Sequence, residues 1–241
     1  MNNIEIIYED DDIIICRKPA GVATQTKRLG QQDMESLLKN YRAKKKEPPY
    51  IGVVHRLDQP VEGIMVFAKN QKATAELSKQ IQQKVIGKHY YAISANMPKG
   101  KEGRLEDYLL TDKKTNVTSV IELKEDKACD SKNKGDNPLK DVKKAVLEYK
   151  AIDEKDGMTL FDIQLYTGRQ HQIRVQMSHM GCPLLGDSKY NNSANIKTSD
   201  TGLALYSYRL SFTHPSTGKP MDFSIEPIGV AFQKFFPLEL S

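Results

Sequence analysis

The chain has 241 residues, of which 39% are hydrophobic and 28% are charged. This composition is typical of folded globular domains and excludes a disordered or repetitive chain. The length suffices for one large domain or two small ones. The formal net charge of +5 permits nucleic-acid binding, but a basic excess attracts phosphates only where it is clustered.

The sequence contains no pattern typical of membrane or secreted proteins. No apolar run approaches the roughly 20 residues that a membrane span needs. The first five residues lack the basic and apolar regions of a signal peptide. Three widely spaced cysteines and the absence of a C-x-x-C pair argue against a disulfide scaffold or a zinc ribbon. We therefore expect a cytoplasmic protein. The five histidines form no H-x-x-x-H or H-E-x-x-H pair, so we expect no metal.

The first half of the chain predicts short strands and two helices. Residues 4–8 and 13–16 alternate as strands around an acidic turn, and proline and glycine then break the pattern. Residues 33–41 and 70–85 have helical spacing, with Asp33 and Asn70 as candidate N-caps. The segment between them, residues 42–49, is basic and then rich in proline. It is either a solvated linker or a rim that contacts phosphates.

The second half of the chain predicts more strands around a polar insertion. Residues 124–144 are rich in lysine and acidic residues and nearly free of apolar ones, so we expect a mobile surface insertion. Residues 167–180 predict a turn and a helix that ends at Gly181, and residues 191–201 predict a loop. Strands are predicted at residues 89–95, 117–123, 145–152, 158–165, 204–212 and 221–225. Many strands with few helices indicate an α+β fold with a mostly antiparallel sheet.

The main candidate for a functional site is the stretch His55-Arg56-Leu57-Asp58-Gln59-Pro60-Val61-Glu62-Gly63. It is a polar turn between the apolar pair at residues 53–54 and the apolar run at residues 64–68. Charged side chains on a short loop fixed by two buried strands are well placed for chemistry. The sequence alone leaves two interpretations of Asp58 open, a reactive carboxylate or a structural partner of Arg56.

Two sequence motifs favour the interpretation of Asp58 as a reactive carboxylate. The stretch at residues 55–63 resembles the HRLD motif of the RluA family of RNA pseudouridine synthases. Residues 167–175, TGRQHQIRV, and residues 181–190, GCPLLGDSKY, resemble a second block of that family. Two long motifs in the right order are far more specific than either alone. Weaker matches are KPAG at residues 18–21, KHYYAI at residues 88–93 and HPSTG at residues 214–218.

The resemblance implies the pseudouridine synthase fold, a large mixed sheet with a central cleft for RNA, and a reaction without a cofactor. It implies that Asp58 is the nucleophile, that Arg174 is its guanidinium partner and that Tyr90 stacks on the uracil base. A carboxylate suits covalent catalysis because it is ionised at neutral pH and is a fair leaving group. Whether Asp58 attacks C6 of the base or C1′ of the sugar stays open. Tyr90 and Tyr91 must point to opposite faces of a strand, and the motif favours Tyr90.

Further site residues follow from the same motifs. The resemblance implies that Arg56 fills the space left by the flipped base, although it could instead contact a phosphate or Asp58. His55 is expected to brace the central loop, and His171 and Gln172 to orient the active loop through hydrogen bonds. Together with Arg169, these residues are our candidates for substrate binding.

The chain departs from the family motif where Val61-Glu62 replaces the usual Thr/Ser-Ser pair. A carboxylate at position 62 would disfavour ionisation of Asp58 unless its side chain points away. Two rival functions therefore stay open, a non-catalytic RNA-binding protein and an N-glycosyl hydrolase. The hydrolase is disfavoured because Asp58 and Glu62, four residues apart on one loop, cannot flank a bond from opposite sides.

We expect residues 1–241 to form a single catalytic domain without the N-terminal S4 module that some members of the family carry. We also expect a monomer that needs no protein partner. The substrate, ribosomal or transfer RNA, is not encoded in any short motif.

Overall fold

One mixed sheet of eleven strands forms the framework of the protein. The computed structural model describes residues 4–26, 28, 30–122, 141–191 and 202–237. The strands are β1 (Ile6–Glu9), β2 (Ile13–Lys18), β3 (Gly52–Val53), β4 (Glu62–Ala68), β5 (Gly87–Ser94), β6 (Glu102–Asp112), β7 (Val117–Val120), β8 (Lys143–Lys155), β9 (Met158–Leu165), β10 (Leu205–Thr213) and β11 (Pro220–Ser224). The helices are α1 (Met34–Lys44), α2 (Gln71–Gln83) and α3 (Gln172–His179), followed by a 3₁₀ turn at Val230–Phe232.

The order of the strands places β4, β10 and β5 near the middle of the sheet. The main path runs β1-β2-β4-β10-β5-β9-β8-β6-β7, with β11 on β10 and β3 on β4. The β4–β10 pair is parallel, whereas the other named pairs are antiparallel. The predicted α+β class with a mixed, mostly antiparallel sheet is therefore confirmed.

The helices cover both faces of the sheet. Apolar residues alternate along β2, where Ile14 and Cys16 face one side and Ile13 and Ile15 face the other, as the period of two requires. Helices α1 and α3 bury residues against the first side and α2 against the second. Both sides of the central strands are therefore apolar, because a sheet covered on both faces must bury both sets of side chains.

Gly63 allows β4 and β10 to approach each other at the start of their parallel pairing. Its φ is +138°, and a Cβ atom built there would lie 2.2 Å from the carbonyl oxygen of Ser207. No other residue type fits this position, because the backbone angle and the missing space both exclude a side chain. The glycine thus fixes how the central loop enters the sheet.

The helix starts agree with the sequence, and two helix ends do not. Helix α1 continues to Lys44, three residues beyond the predicted end, so the first part of the basic segment at residues 42–49 is helical. The Asp33 side chain accepts a hydrogen bond from the backbone N–H of Ser36, and Asn70 accepts one from that of Ala73. Helix α2 ends at Gln83, two residues before the predicted end, because Lys84 adopts a left-handed conformation with φ +60°. Gly181 has φ +90°, consistent with the predicted stop after α3.

Strand β6 was not predicted from the sequence. It has the burial pattern of an edge region, with exposed and half-buried residues along most of its eleven positions. Most of the predicted insertion at residues 124–144 and of the loop at residues 191–201 lies outside the described residues, and residues 143–144 begin β8. Within the described ranges, no helix has the length and apolarity needed to span a membrane.

Candidate active site

The central loop lies in a cleft of about 1130 Å³. Residues 54–61 form its floor, and the turn between β9 and α3 forms one wall. Residues 23–26 and the end of α2 contribute other parts of the lining. The two motifs, which are about 110 residues apart in sequence, therefore meet in one cleft.

Asp58 faces Arg174 across this cleft. Its Oδ2 lies 3.5 Å from Nη1 of Arg174 and 3.9 Å from Nε2 of His171. The Asp58 side chain is 28% exposed, whereas that of Arg174 is 5% exposed. A carboxylate that meets both solvent and a buried guanidinium is positioned by the protein and still accessible to a ligand.

Arg174 is fixed by a second carboxylate, that of Asp187. Its Nε and Nη2 donate to the two oxygens of Asp187 at 2.8 and 2.7 Å. Asp187 also accepts hydrogen bonds from the backbone N–H groups of Lys189 and Tyr190. Burial alone would raise the pKa of Asp187, but the bonds and charge of Arg174 hold it below its usual value. No role was predicted for Asp187 from the sequence, where its only signal is its place in the second motif block.

His171 and Tyr190 form a second support beside Asp58. The Nδ1 atom of His171 lies 2.8 Å from the Tyr190 hydroxyl, which also accepts from the backbone N–H of Thr118 at 2.9 Å. A ring that accepts the Tyr190 proton at Nδ1 carries its own proton on Nε2, the nitrogen that faces Asp58. Burial lowers the pKa of His171 despite the nearby Asp58 charge, and Arg174 lowers it further. A neutral ring at neutral pH follows from this shift.

The backbone of His171 is strained. It immediately precedes α3 with φ +51°, in the left-handed region that a side chain rarely adopts. This conformation was not predicted from the sequence, because even histidine, which is enriched among non-glycine residues with positive φ, adopts it only in a small minority of cases. The turn aims the imidazole at the cleft rather than along the helix.

Tyr90 lines the cleft and Tyr91 does not. Tyr90 belongs to the core cluster on the side of α1 and α3 and is 6% exposed. Tyr91 stacks on Tyr208 on the opposite side, with ring centroids 3.8 Å apart. Burial and the nearby Asp58 charge raise the pKa of Tyr90, so its hydroxyl stays protonated. The predicted division of the two tyrosines between the two faces is thus seen in the structure.

The floor of the cleft is held from behind by Lys18, the last residue of β2, and by the segment that follows it. Thr24 exchanges hydrogen bonds with the backbone of Leu57, its hydroxyl donating to the carbonyl at 3.1 Å and accepting from the N–H at 3.2 Å. The buried Lys18 ammonium donates to the carbonyl of Gln59 at 3.1 Å. These contacts hold the residues on both sides of Asp58. Neither role was predicted from the sequence, although Lys18 lies in one of the weaker motif matches.

His55 braces the same loop through the neighbouring strand. Its Nε2 accepts a hydrogen bond from the backbone N–H of Val66 at 3.1 Å, so this nitrogen carries no proton. Burial of the ring, with a smaller contribution from the Lys88 charge, lowers the pKa of His55 to about 3. The expected bracing contact is therefore present, and the ring lines the cleft as well.

Gln172 supports a different loop from the one we expected. Its side-chain oxygen accepts from the Thr167 hydroxyl and the Arg169 backbone N–H, and its amide donates to Val146 and Gln176. These partners hold the turn between β9 and α3, not the central loop. Arg169 itself lines the cleft, and its Nε donates to the carbonyl of Lys144 at 3.0 Å. Arg56 is exposed at the cleft surface.

Glu62 points away from Asp58. Its Oε1 lies 3.5 Å from Nη1 of Arg17, and it is not among the residues that line the cleft. Burial raises the pKa of Glu62, against the opposing charge of Arg17. The departure from the family motif therefore places its carboxylate on the opposite side of the sheet from the reactive one.

The charged side chains that line the cleft are nearly all positive. Asp58 is the one carboxylate among the lining residues in the described part of the chain. Seven lining residues are basic, namely Arg28, Arg56, Lys84, Lys88, Arg169, Arg174 and Lys189. The mild net charge of the whole chain is thus concentrated where a polyanion would bind.

One group of potential metal ligands converges in the described structure, outside the cleft. Ligand atoms of Asp10, Asp12 and His214 lie within 4.8 Å of one another. Asp10 already accepts from the Tyr8 hydroxyl and from two backbone N–H groups and pairs with His214. This group joins the β1–β2 turn to the β10–β11 turn.

Comparison with known proteins points to one family of RNA-modifying enzymes. The family model for RNA pseudouridylate synthases matches residues 12–179. The dual-specificity RNA pseudouridine synthase RluA of Vibrio parahaemolyticus is 32% identical over 243 residues, which cover 97% of this chain and 89% of that protein. The uncharacterized RNA pseudouridine synthase YlyB of Bacillus subtilis is 29% identical, covering 92% of this chain and 68% of that protein.

A further relative and a solved structure agree in sequence and in fold. The ribosomal large subunit pseudouridine synthase D of Nitrosomonas europaea is 30% identical, and the match covers 90% of this chain and 60% of that protein. The solved structure of human RNA pseudouridylate synthase domain containing 4 superposes with a TM-score of 0.70 at 20% identity, over 92% of this chain and 88% of that one. This chain belongs to the family of RNA pseudouridine synthases, isomerases that act on RNA.

Proposed function

We propose that this protein converts specific uridines of ribosomal or transfer RNA into pseudouridine, with Asp58 as the nucleophile. The observation that carries the proposal is the pairing of a partly exposed Asp58 with a buried Arg174 that Asp187 holds from behind. The guanidinium keeps the carboxylate oriented in a cleft otherwise lined by cations. This arrangement suits a group that must form and later release one covalent bond.

The reaction requires no atoms from outside the substrate and the solvent. The N1–C1′ bond of uridine breaks, the base turns, and C5 bonds to C1′, after which the hydrogen on C5 leaves as a proton. Asp58 holds one reacting centre covalently during the exchange and is expelled at the end. Arg174 stabilises the carboxylate each time it becomes free. We expect no cofactor and no metal for this chemistry.

The target base must leave the RNA stack to reach Asp58. A cleft of about 1130 Å³ exceeds the space that one small ligand fills, so it can accommodate a flipped nucleotide with its neighbours. In our proposal Tyr90 stacks on the uracil and the exposed Arg56 occupies the position that the base vacates. His171 and Arg169 bind the substrate near Asp58, while His55 and Gln172 hold the two loops that carry these groups.

The choice of RNA is the part of this proposal that rests on relatives alone. The names of the relatives include a large-subunit ribosomal enzyme and a dual-specificity enzyme, so both RNA classes are candidates. We further propose that the protein works as a monomer in the cytoplasm. The two described cysteines, Cys16 and Cys182, are buried and free, which suits a reducing compartment.

The test is release of tritium from RNA that carries uridine labelled at C5. Unmodified transfer RNA and ribosomal RNA are incubated separately with wild-type protein and with Asp58→Ala and Asp58→Asn. We expect release by the wild type only, with RNA binding and thermal unfolding of both variants unchanged. An Asp58 variant with full turnover would refute the assignment of the nucleophile.

The same experiment separates the two rival functions. A non-catalytic RNA-binding protein would bind both RNA fractions and release no tritium. Its main support in the sequence was Glu62, which the structure places away from Asp58. An N-glycosyl hydrolase would release free uracil and leave abasic RNA. In the described part of the cleft no second carboxylate faces Asp58, so the pair that such a hydrolase uses is missing there.

A further inference from the structure

The basic residues of the cleft differ in whether their side chains have hydrogen-bond or ion-pair partners within the protein. Arg174, Arg169 and Lys189 donate to protein oxygens. For the other four, Arg28, Arg56, Lys84 and Lys88, no side-chain hydrogen bond or ion pair to a described residue is found. Arg28, Arg56 and Lys84 are exposed, so water solvates them, whereas Lys88 is half-buried.

A half-buried ammonium group without a hydrogen bond or an ion pair lowers the stability of the folded protein. Removing a charge from water without a partner is unfavourable, and burial accordingly lowers the pKa of Lys88. Asp58, the carboxylate of the cleft, is not among the groups that shift it. The cation therefore lies in the cleft without a compensating charge from the protein. Such a site gains free energy when an anion enters.

The position of Lys88 relates it to the substrate. It lies on β5 two residues before Tyr90, so both side chains project from the same face of the strand, about 6.7 Å apart along it. Both line the cleft. A uracil stacked on Tyr90 carries its ribose and flanking phosphates within reach of a long side chain at this distance.

Gly168 keeps the ammonium accessible. A Cβ atom at this position would lie 3.7 Å from the Lys88 Nζ, in ordinary van der Waals contact. A larger side chain there would cover the nitrogen. The glycine of the second motif thus leaves the side of Lys88 that faces the turn between β9 and α3 free for a ligand.

We propose that Lys88 binds a backbone phosphate next to the target uridine, and so holds the flipped nucleotide against Tyr90. This inference rests on the proposed function, because it assumes that the nucleotide enters this cleft. Phosphate is the anion that RNA offers, and a half-buried ammonium without a protein partner binds it by charge without reading the base. The site would therefore contribute to affinity for every RNA that enters the cleft and not to the choice between sequences.

The experiment compares Lys88→Gln and Lys88→Arg with wild type and with Lys150→Gln. Lys150 is an exposed lysine that lines a separate groove together with His89, on the opposite face of β5, so its variant controls for the loss of one positive charge. Affinity for transcribed transfer RNA and ribosomal RNA is measured between 50 and 200 mM salt. Turnover is measured by tritium release on the same RNA.

We expect Lys88→Gln to weaken RNA binding about tenfold, the usual loss for one charge-assisted contact. The slope of log affinity against log salt should fall by about 0.7, the value for one phosphate contact on single-stranded RNA. KM should rise with kcat within about threefold of wild type, because a uniform binding contact acts on KM. Lys88→Arg should keep most of the affinity, and Lys150→Gln should behave as wild type.

Two results would overturn the proposal. An unchanged affinity and salt slope in Lys88→Gln would show that this ammonium contacts no phosphate. A large loss of kcat at unchanged affinity would instead place Lys88 in the chemical step. Neither result depends on the proposed function failing, since that failure would appear as absent tritium release by the wild type, and the binding measurement would still decide the role of Lys88.

Discussion

At the scale of single residues, the site depends on how one guanidinium is shared between two carboxylates. Nε and Nη2 of Arg174 bond Asp187, and Nη1 points to Asp58. The planar fork makes this division possible, since a lysine has one nitrogen and could not hold both partners in fixed directions. Asp58 is thus positioned by a charge that is itself immobile.

Asp187→Asn should weaken both stability and catalysis. Removing the buried negative charge leaves the buried Arg174 without its main partner, a loss of about 3 kcal/mol in the free energy of unfolding. The freed guanidinium would no longer be aligned with Asp58, and we expect kcat to fall about a hundredfold. Urea unfolding and tritium release measure the two effects.

Asp222→Asn provides the control for this prediction. Asp222 also binds an arginine, Arg209, through both oxygens, but the two side chains are 48% and 45% exposed. An exposed pair contributes only about 0–1 kcal/mol. Equal destabilisation by the two substitutions would contradict the structural role that we assign to Asp187.

His55 makes the stability of the central loop dependent on pH. Its pKa is about 3 in the folded protein and about 6.5 in the unfolded chain. The unfolded state therefore binds more protons between these values. The contribution of the neutral His55 ring to the free energy of unfolding is complete above about pH 6.5. It is lost as the pH falls from about 6.5 towards 3.

His55→Gln should reduce this acid sensitivity, because a glutamine oxygen can accept the Val66 N–H without titrating. We expect the free energy of unfolding to decrease less between pH 7.5 and pH 5 in the variant than in wild type, as measured by urea unfolding. Identical decreases in the two proteins would assign the acid sensitivity to other groups. Glu9 would not be among these groups. Burial raises its pKa, but Lys69 and its neighbours lower it to about 2, so its contribution to stability is lost only below about pH 4.5.

At the scale of elements, the end of β2 and the segment after it support the catalytic loop. Thr24 satisfies both backbone groups of Leu57, the residue before Asp58. Gly21 and Lys18 bind the carbonyl of Gln59, the residue after it. The loop itself therefore needs no regular structure to hold Asp58 in place.

Thr24→Val should remove two of these contacts while keeping the shape of the side chain. The buried N–H and carbonyl of Leu57 lose their partner, and we expect a destabilisation of about 1–3 kcal/mol. The position of Asp58 should become less defined, so kcat should fall while RNA affinity is retained. Thr24→Ser, which keeps the hydroxyl, should restore most of kcat. A Val variant with normal kcat would show that the loop is held by other contacts.

The same elements show which features a sequence can predict. Asp33 and Asn70 marked helix starts because capping is a local interaction. Tyr90 and Tyr91 were assigned to opposite faces because a strand has a period of two. Strand β6 was missed because its alternation of exposed and half-buried residues lacks a strong apolar period. The orientation of the Glu62 side chain could not be predicted either, because it depends on an ion pair with Arg17, which is 45 positions away in the chain.

The active site was predictable only in part for the same reason. The motif named Asp58 and Arg174 as partners. It did not show that Asp187 holds the arginine or that His171 adopts a left-handed backbone. These features arise when β9, α3 and the following turn pack together, and no local propensity encodes them.

At the scale of the whole molecule, a modest net charge produces a strongly basic cleft. The chain carries 36 basic and 31 acidic residues, yet the described cleft lining contains seven basic residues and one carboxylate. Acidic residues are paired elsewhere, as in the exposed network of Arg104 with Glu106 and Glu148. Positive charge is thus concentrated in the cleft, whereas charges such as those of this network are balanced outside it.

This concentration of positive charge predicts how RNA affinity depends on salt. Four cleft cations without a partner in the described structure can each release about 0.7 counterions from single-stranded RNA, which gives a slope of about −3 for log affinity against log salt. Raising salt from 50 to 200 mM should then weaken binding about sixtyfold. Filter binding with Asp58→Asn, which binds without turnover, measures this slope directly. A slope near zero would mean that RNA binds mainly through uncharged contacts, and the cleft would then not be the principal surface that the nucleic acid uses.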